Sequence, residues 1–336
     1  MKNRIIFFSG GLSSFAVACH VQQKYPEDNI VLYFTDTLWE DSDLYRFIYE
    51  ASDKMRLPLL IHRDGDNPME KMFKEKVIYN SRIGNCSALL KMKVAKDFIK
   101  KGKVPSEEEW YNGQYLKAPA NTITNDPELY FGIGFDEMHR EPKIRENWTP
   151  FQVHMPLIDL AIPADEWLSH FDIDMPIAYK QGFAHNNCAG RCVKAGQAHF
   201  RLLRESRPEV FQELKAQEHY LKLYVSEYHR IRNPERDGLE DHLDDEVKDY
   251  MLKKLDDAYR PYFLEGAKKP GIYVPMSLKI NEYAFMKKSL RRKTKPYSLR
   301  QLEQDILTEP EQLDLFDFGG CGCFVDESSL HKKEVI

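Results

Sequence analysis

Residues 7–14 read Phe-Phe-Ser-Gly-Gly-Leu-Ser-Ser, an apolar run that ends in two glycines set among hydroxyls just before a helical pattern begins. Glycines let a backbone approach a ligand closely, and the unsatisfied N–H groups and dipole of a helix start favour an anion. Ser9, Gly10, Gly11, Ser13 and Ser14 are therefore candidate phosphate-binding residues. The competing reading is a serine-capped strand-to-helix turn. The string is neither GxGxxG nor GxxxxGK[ST], which sets aside the dinucleotide and Walker readings.

Thiols form the second set. Of six cysteines, Cys188 and Cys192 make a CxxxC, Cys321 and Cys323 make a CxC, and Cys19 and Cys86 stand alone. Two glycine-flanked thiol pairs suit a four-thiolate centre holding zinc or an iron–sulfur cluster. A redox or sulfur-carrying tail and inert buried thiols are the alternatives. Cys86 lies between Arg82 and Lys91 at a predicted helix start, where cations and the dipole lower a thiol pKa and make a nucleophile or sulfur acceptor; a small packing residue is the alternative.

Alternating strand and helix patterns must position these residues. Apolar runs at 4–8, 30–34, 57–62 and 129–134, with a further short one at 153–156, read as strands. Helical spacing over 14–23, 41–54 and from Cys86 to Lys101 separates them, which implies crossovers and a parallel sheet covered on both faces. Segment 102–128 reads as an insertion or lid. Ligands of such sheets sit outside the carboxyl ends of strands, where Ser9–Ser14, Asp36 and the stretch from Asp136 to Arg140 fall. Asp36 and Asp136 suit nucleoside or cofactor contacts, and Arg140 and Arg145 suit phosphate or sulfate; surface ion pairs are the alternative for each.

Beyond residue 165 the pattern changes, so 1–165 reads as a nucleotide-binding domain and 166–336 as a mainly helical, cysteine-bearing region. The latter holds an acidic run at 235–249 and a basic cluster at 287–300, which suits a nucleic-acid acceptor or a solvated face. The 336 residues carry 42% hydrophobic and 30% charged side chains, excluding a disordered chain or a disulfide miniprotein. A net charge of -5 gives no bulk attraction to polyanions. No long apolar span is present, and a cytoplasmic setting with reduced thiols is expected.

The loop resembles the pyrophosphate loop, SGGxDS, of the PP-loop ATP pyrophosphatases, or adenine nucleotide alpha-hydrolases. Ser9, Gly10, Gly11 and Ser14 match, while Ser13 stands where that superfamily usually has Asp. Tyr33 to Thr37, the Arg82–Lys91 segment and Gly132 to Arg140 are similar to segments of its phosphoadenosine phosphosulfate (PAPS) reductase-like branch. The resemblance implies a Rossmann-like α/β fold that binds ATP with Mg²⁺ and cleaves it between the α and β phosphates. Ser9–Ser14 would hold the phosphates, Asp36 the nucleoside, and Lys91 and Arg140 the charge on the leaving group. Sulfur transfer to a nucleic acid or small acceptor would follow, through Cys86 or a cluster and with a sulfur-donor protein. The reductases proper carry a Glu-Cys-Gly-Leu-His motif that this sequence lacks. A sulfonucleotide reductase and a non-catalytic nucleotide sensor or defence-system subunit remain as alternatives.

Overall fold

The computed structural model describes residues 1–80, 84–241, 243–290 and 293–308. These fall into two compact units, residues 1–66 with 85–190, and residues 67–84 with 191–308.

In the first unit β1 (Asn3–Phe7) leads to α1 (Leu12–Lys24), β2 (Asn29–Asp36), α2 (Ser42–Met55) and β3 (Leu59–Arg63). The chain then supplies α3 (Pro68–Glu75) to the second unit. It returns as a π-helical turn, Ser87–Lys93, that continues into α4 (Val94–Lys101). β4 (Glu107–Tyr111), β5 (Glu128–Phe131), α5 (Glu141–Trp148) and β6 (Val153–His154) follow, then the short helices α6 (Pro156–Asp159), α7 (Ala164–Phe171) and α8 (Ile177–Lys180).

The strands form one six-stranded sheet in the order β4-β3-β2-β1-β5-β6. Every pairing is parallel except that of β4 with β3. Because side chains alternate across a strand, Ile6, Phe8, Leu32 and Phe34 face the cluster that includes Phe15, Phe47 and Ile48 of α1 and α2. Ile5, Phe7, Val31 and Tyr33 face the opposite cluster, with Met92, Phe98, Ile144 and Trp148. Both faces are thus covered, which is why β1 and β2 read as continuous apolar runs. The α/β sheet expected from the sequence is present.

One element departs from the expectation. The 102–128 segment is not merely an insertion, since it contributes the antiparallel edge strand β4. Three successive glutamates, Glu107–Glu109, hide its strand character, and such charge is what guards an exposed sheet edge.

In the second unit α9 (Gln197–Ser206) and α10 (Pro208–Arg232) precede α11 (Asp245–Leu264), the hairpin β7 (Met286–Leu290) and β8 (Lys293–Tyr297), and α12 (Leu299–Thr308). α3 belongs here: Phe73 packs on Tyr224 and Phe263, and Lys76 pairs with Asp256 at 3.0 Å. Among the described residues no helix is long and apolar enough to cross a membrane.

Candidate functional site

The chain builds outward from β1 through β2 and β3 to β4 and then places β5 on the other side of β1. This reversal opens a crevice at the carboxyl ends of β1 and β5, the place where open α/β sheets receive ligands. The Ser9–Ser14 loop lies there, between the end of β1 and the start of α1.

Gly10 is left-handed at φ +77°, and a Cβ there would stand 2.9 Å from Leu44 Cγ of α2. Gly11 occupies the N-cap position of α1 and has no side chain with which to cap it, and no acid lies in the first turn. The loop is therefore electropositive in its backbone without an internal anion to quench it. Ser14 donates its hydroxyl to Gly11 O at 2.8 Å, and Ser9 Oγ donates to Ser14 Oγ at 3.4 Å. Ser13 is exposed. Gly132, directly after β5, completes the crevice: a Cβ on it would come within 2.6 Å of the Ser14 nitrogen, so only glycine lets β5 lie this close.

Two residues that the sequence did not single out close on the same loop. Tyr179 of α8 accepts from the Leu12 amide at 3.1 Å, and Asn186 Nδ2 donates to Gly10 O at 3.0 Å. Burial raises the Tyr179 pKa, against the bonds from the backbones of Leu12 and Asn186.

At the end of β2, Asp36 is buried and engaged within the protein. Oδ1 accepts from the Leu38 amide and the Tyr45 hydroxyl, each at 2.8 Å, and Oδ2 from Arg63 at 2.9 Å. The expectation that its carboxylate faces a nucleoside meets a group already holding three protein donors. Tyr45 is pushed up first by burial and then by Asp36.

One turn further, Glu40 accepts from Thr37 Oγ1 at 3.0 Å and from the Cys188 amide, with Lys91 Nζ 3.8 Å away. Burial raises the Glu40 pKa, while Lys91, the Cys188 amide and Thr37 oppose that and Asp36 adds to it. Lys91 rides on the π-helical turn, whose wider circuit buries Leu90, Lys91 and Met92 in succession. The plain α-helix expected there missed this turn and Glu40 alike.

The remaining expected residues are dispersed. Cys86 is half-buried in the first turn of the same helix, and Arg82 lies outside the described residues. Asp136 is exposed on the 3₁₀ segment Phe135–Arg140, where Arg140 is buried and pairs with Glu137. Arg145 does not reach the loop. It pairs with Glu141, donates to Val153 O at 2.7 Å, and lines a cleft with His20 and Lys24, in the later turns of α1. Since α1 rises about 1.5 Å per residue, that cleft is two turns or more beyond the loop.

Cys188 and Cys192 are buried and carry no disulfide, and Cys321 and Cys323 lie outside the described residues. Among the described residues no three His, Cys, Asp or Glu side chains gather into a metal site. Of the basic cluster, Lys288 pairs with Asp305 at 2.7 Å, Lys295 and Arg300 are exposed, and Arg291 and Arg292 lie outside the described residues.

Residues 3–114 match the phosphoadenosine phosphosulfate reductase domain family. No curated protein matches the chain.

Proposed function

We propose that the protein, whose residues 3–114 match the phosphoadenosine phosphosulfate reductase domain family, binds ATP at the Ser9–Ser14 loop and transfers its adenylyl group to an acceptor. The observation that carries this reading is the start of α1 at the strand reversal, free of acids in its first turn and with Gly132 pressed against the Ser14 amide. An acceptor oxygen attacks the α-phosphorus, the Pα–O bond to the β-phosphate breaks, and pyrophosphate leaves with both electrons of that bond. Loop amides and the Ser9, Ser13 and Ser14 hydroxyls hold the β and γ phosphates, and Mg²⁺ when bound offsets their charge. Arg140 stabilises the leaving group.

Lys91, matched by Glu40, acts as a positioning residue that sets the end of β2 against the loop. Asp36 has the same role through Tyr45 and Arg63. In a following step hydrosulfide delivered by a sulfur-donor partner attacks the activated carbon; a C–S bond forms and AMP departs with the C–O electrons. Cys188, Cys192, Cys321 and Cys323 are assigned to a sulfur-ligated zinc or iron–sulfur centre, and the 287–300 cluster to a nucleic-acid acceptor.

The test is pyrophosphate release on mixing the full chain with ATP, Mg²⁺ and a panel of tRNA, DNA and small acceptors. Acceptor-dependent release supports adenylyl transfer. ATP binding without release under every acceptor favours the sensor reading, to which Ser13 in place of the usual loop Asp lends weight. Sulfite release from a sulfonucleotide favours the reductase.

A further inference from the structure

Resting on that reading and deepening it, we propose that Tyr179 and Asn186 complete the nucleotide site that the Ser9–Ser14 loop begins. Tyr179 donates its hydroxyl to a phosphate oxygen, and Asn186 accepts from an O–H group of the bound nucleotide complex. Both lie far beyond the family-matched segment 3–114.

The Tyr179 oxygen is 3.1 Å from the Leu12 nitrogen, at the first residue of α1, whose amide donates to it. A phenolic oxygen has two lone pairs and one proton. The Leu12 amide takes one lone pair, and among the described residues no acceptor receives the proton. A phosphate oxygen, which accepts only, is its complement. The hydroxyl is also held in place: α8 is pinned where the Ile177 amide donates to Asp43 at 2.6 Å, and a Cβ on Gly11 would be only 3.0 Å from the Tyr179 oxygen.

Asn186 supplies the independent observation. Its Nδ2 donates to Gly10 O at 3.0 Å, which fixes the orientation of the amide and leaves Oδ1 as the free end. That oxygen is buried in a residue 2% exposed and has no hydrogen-bond partner in the protein. Buried carbonyl oxygens without a donor are exceptions that call for a ligand or a water. Nδ2 bonds the loop itself, so Oδ1 of the same amide lies against the loop too. The backbone that follows is strained: Cys188 and Ala189 are left-handed at φ 57° and 50° without being glycine, as segments held for function often are. The donor for Oδ1 is a ribose hydroxyl or a water held by the nucleotide's cation; both present an O–H.

Titration calorimetry on the full chain, with MgATP and with magnesium tripolyphosphate, separates these roles. The unliganded thermal midpoint of each variant serves as the folding control. Tyr179→Phe keeps the ring and removes the hydroxyl; about tenfold weaker binding of both ligands is expected, equivalent to about 1.4 kcal/mol. Unchanged binding overturns the proposal, and so does tighter binding, which would mean that the hydroxyl merely blocks the Leu12 amide. Asn186→Ala is expected to weaken MgATP severalfold, with Asn186→Asp as the second variant should the alanine chain not fold. Loss for MgATP alone identifies the ribose, loss for both ligands identifies the cation's water, and loss for neither overturns the role of Asn186. If the unaltered chain binds neither ligand, the phosphate-loop reading itself fails, an outcome distinct from variants that bind like the parent.

Discussion

A single methyl group placed on Gly132 would meet the Ser14 nitrogen at 2.6 Å, so the phosphate loop has no tolerance on the β5 side. Gly132→Ala is expected to push Ser13 and Ser14 out of register and to weaken MgATP binding by tenfold or more, while far-ultraviolet circular dichroism stays as in the parent. Parental affinity in that variant would show that the loop backbone is not the binding element. Glu40 tests a different property. Replacing it with Gln leaves Lys91 buried beside a neutral partner, and breaking a buried pair in this way costs about 3 kcal/mol. Urea unfolding should register the loss, and an unchanged midpoint would mean that the Glu40–Lys91 pair contributes nothing to stability. At this scale the sequence is legible where chemistry is local. Ser9–Ser14 stands out as a string because strand end, glycines and helix start are contiguous. Tyr179 and Asn186 do not, because the loop atoms they bond are 167 and 176 residues away along the chain.

Elements bury their polar groups by the same logic. In the second unit Glu218 of α10 accepts from the Phe285 amide at 2.9 Å and the Leu299 amide at 2.7 Å, joining α10 to the chain before β7 and after β8. Burial pushes its pKa up to about 7, against those two amides and Lys222. A carboxyl whose folded pKa lies above its unfolded value binds more protons when folded. Its contribution is therefore complete below about pH 4.5 and is lost as pH rises through about 7. Stability of the full chain should fall across that window, and Glu218→Gln should flatten the slope; an equal slope in parent and variant would place the titration elsewhere. Glu40 acts with the same sign, so some slope persists. Strands β1, β2, β3 and β5 and helices α1 and α2 were legible because their apolar periodicity matches two covered sheet faces. β4 was not, because glutamates at a guarded edge mimic a loop, and the π-helical turn was not, because its extra residue disguises why Lys91 is buried.

For the whole molecule, the alternation of strands and helices announced the α/β sheet. The passage of Asn67–Gly84 into the second unit had no local signal, since α3 is an ordinary capped helix whose partners, Tyr224 and Phe263, lie far along the sequence. The thiol assignment is testable without activity. Anaerobically purified protein should hold about one equivalent of zinc or show cluster absorbance near ~400 nm, and replacing Cys321 and Cys323 by Ser should remove it; metal content that survives the replacement rules out a shared centre. The adenylyl-transfer assignments hang on the nucleotide crevice. The most direct measurement is a crystal structure of the full chain with a non-hydrolysable ATP analogue and Mg²⁺. The account predicts phosphate density within hydrogen-bonding distance of the Gly11–Ser14 amides, beside Gly132. Phosphates bound in the Arg145 cleft, or an analogue at saturating concentration that leaves the loop bare, would contradict it.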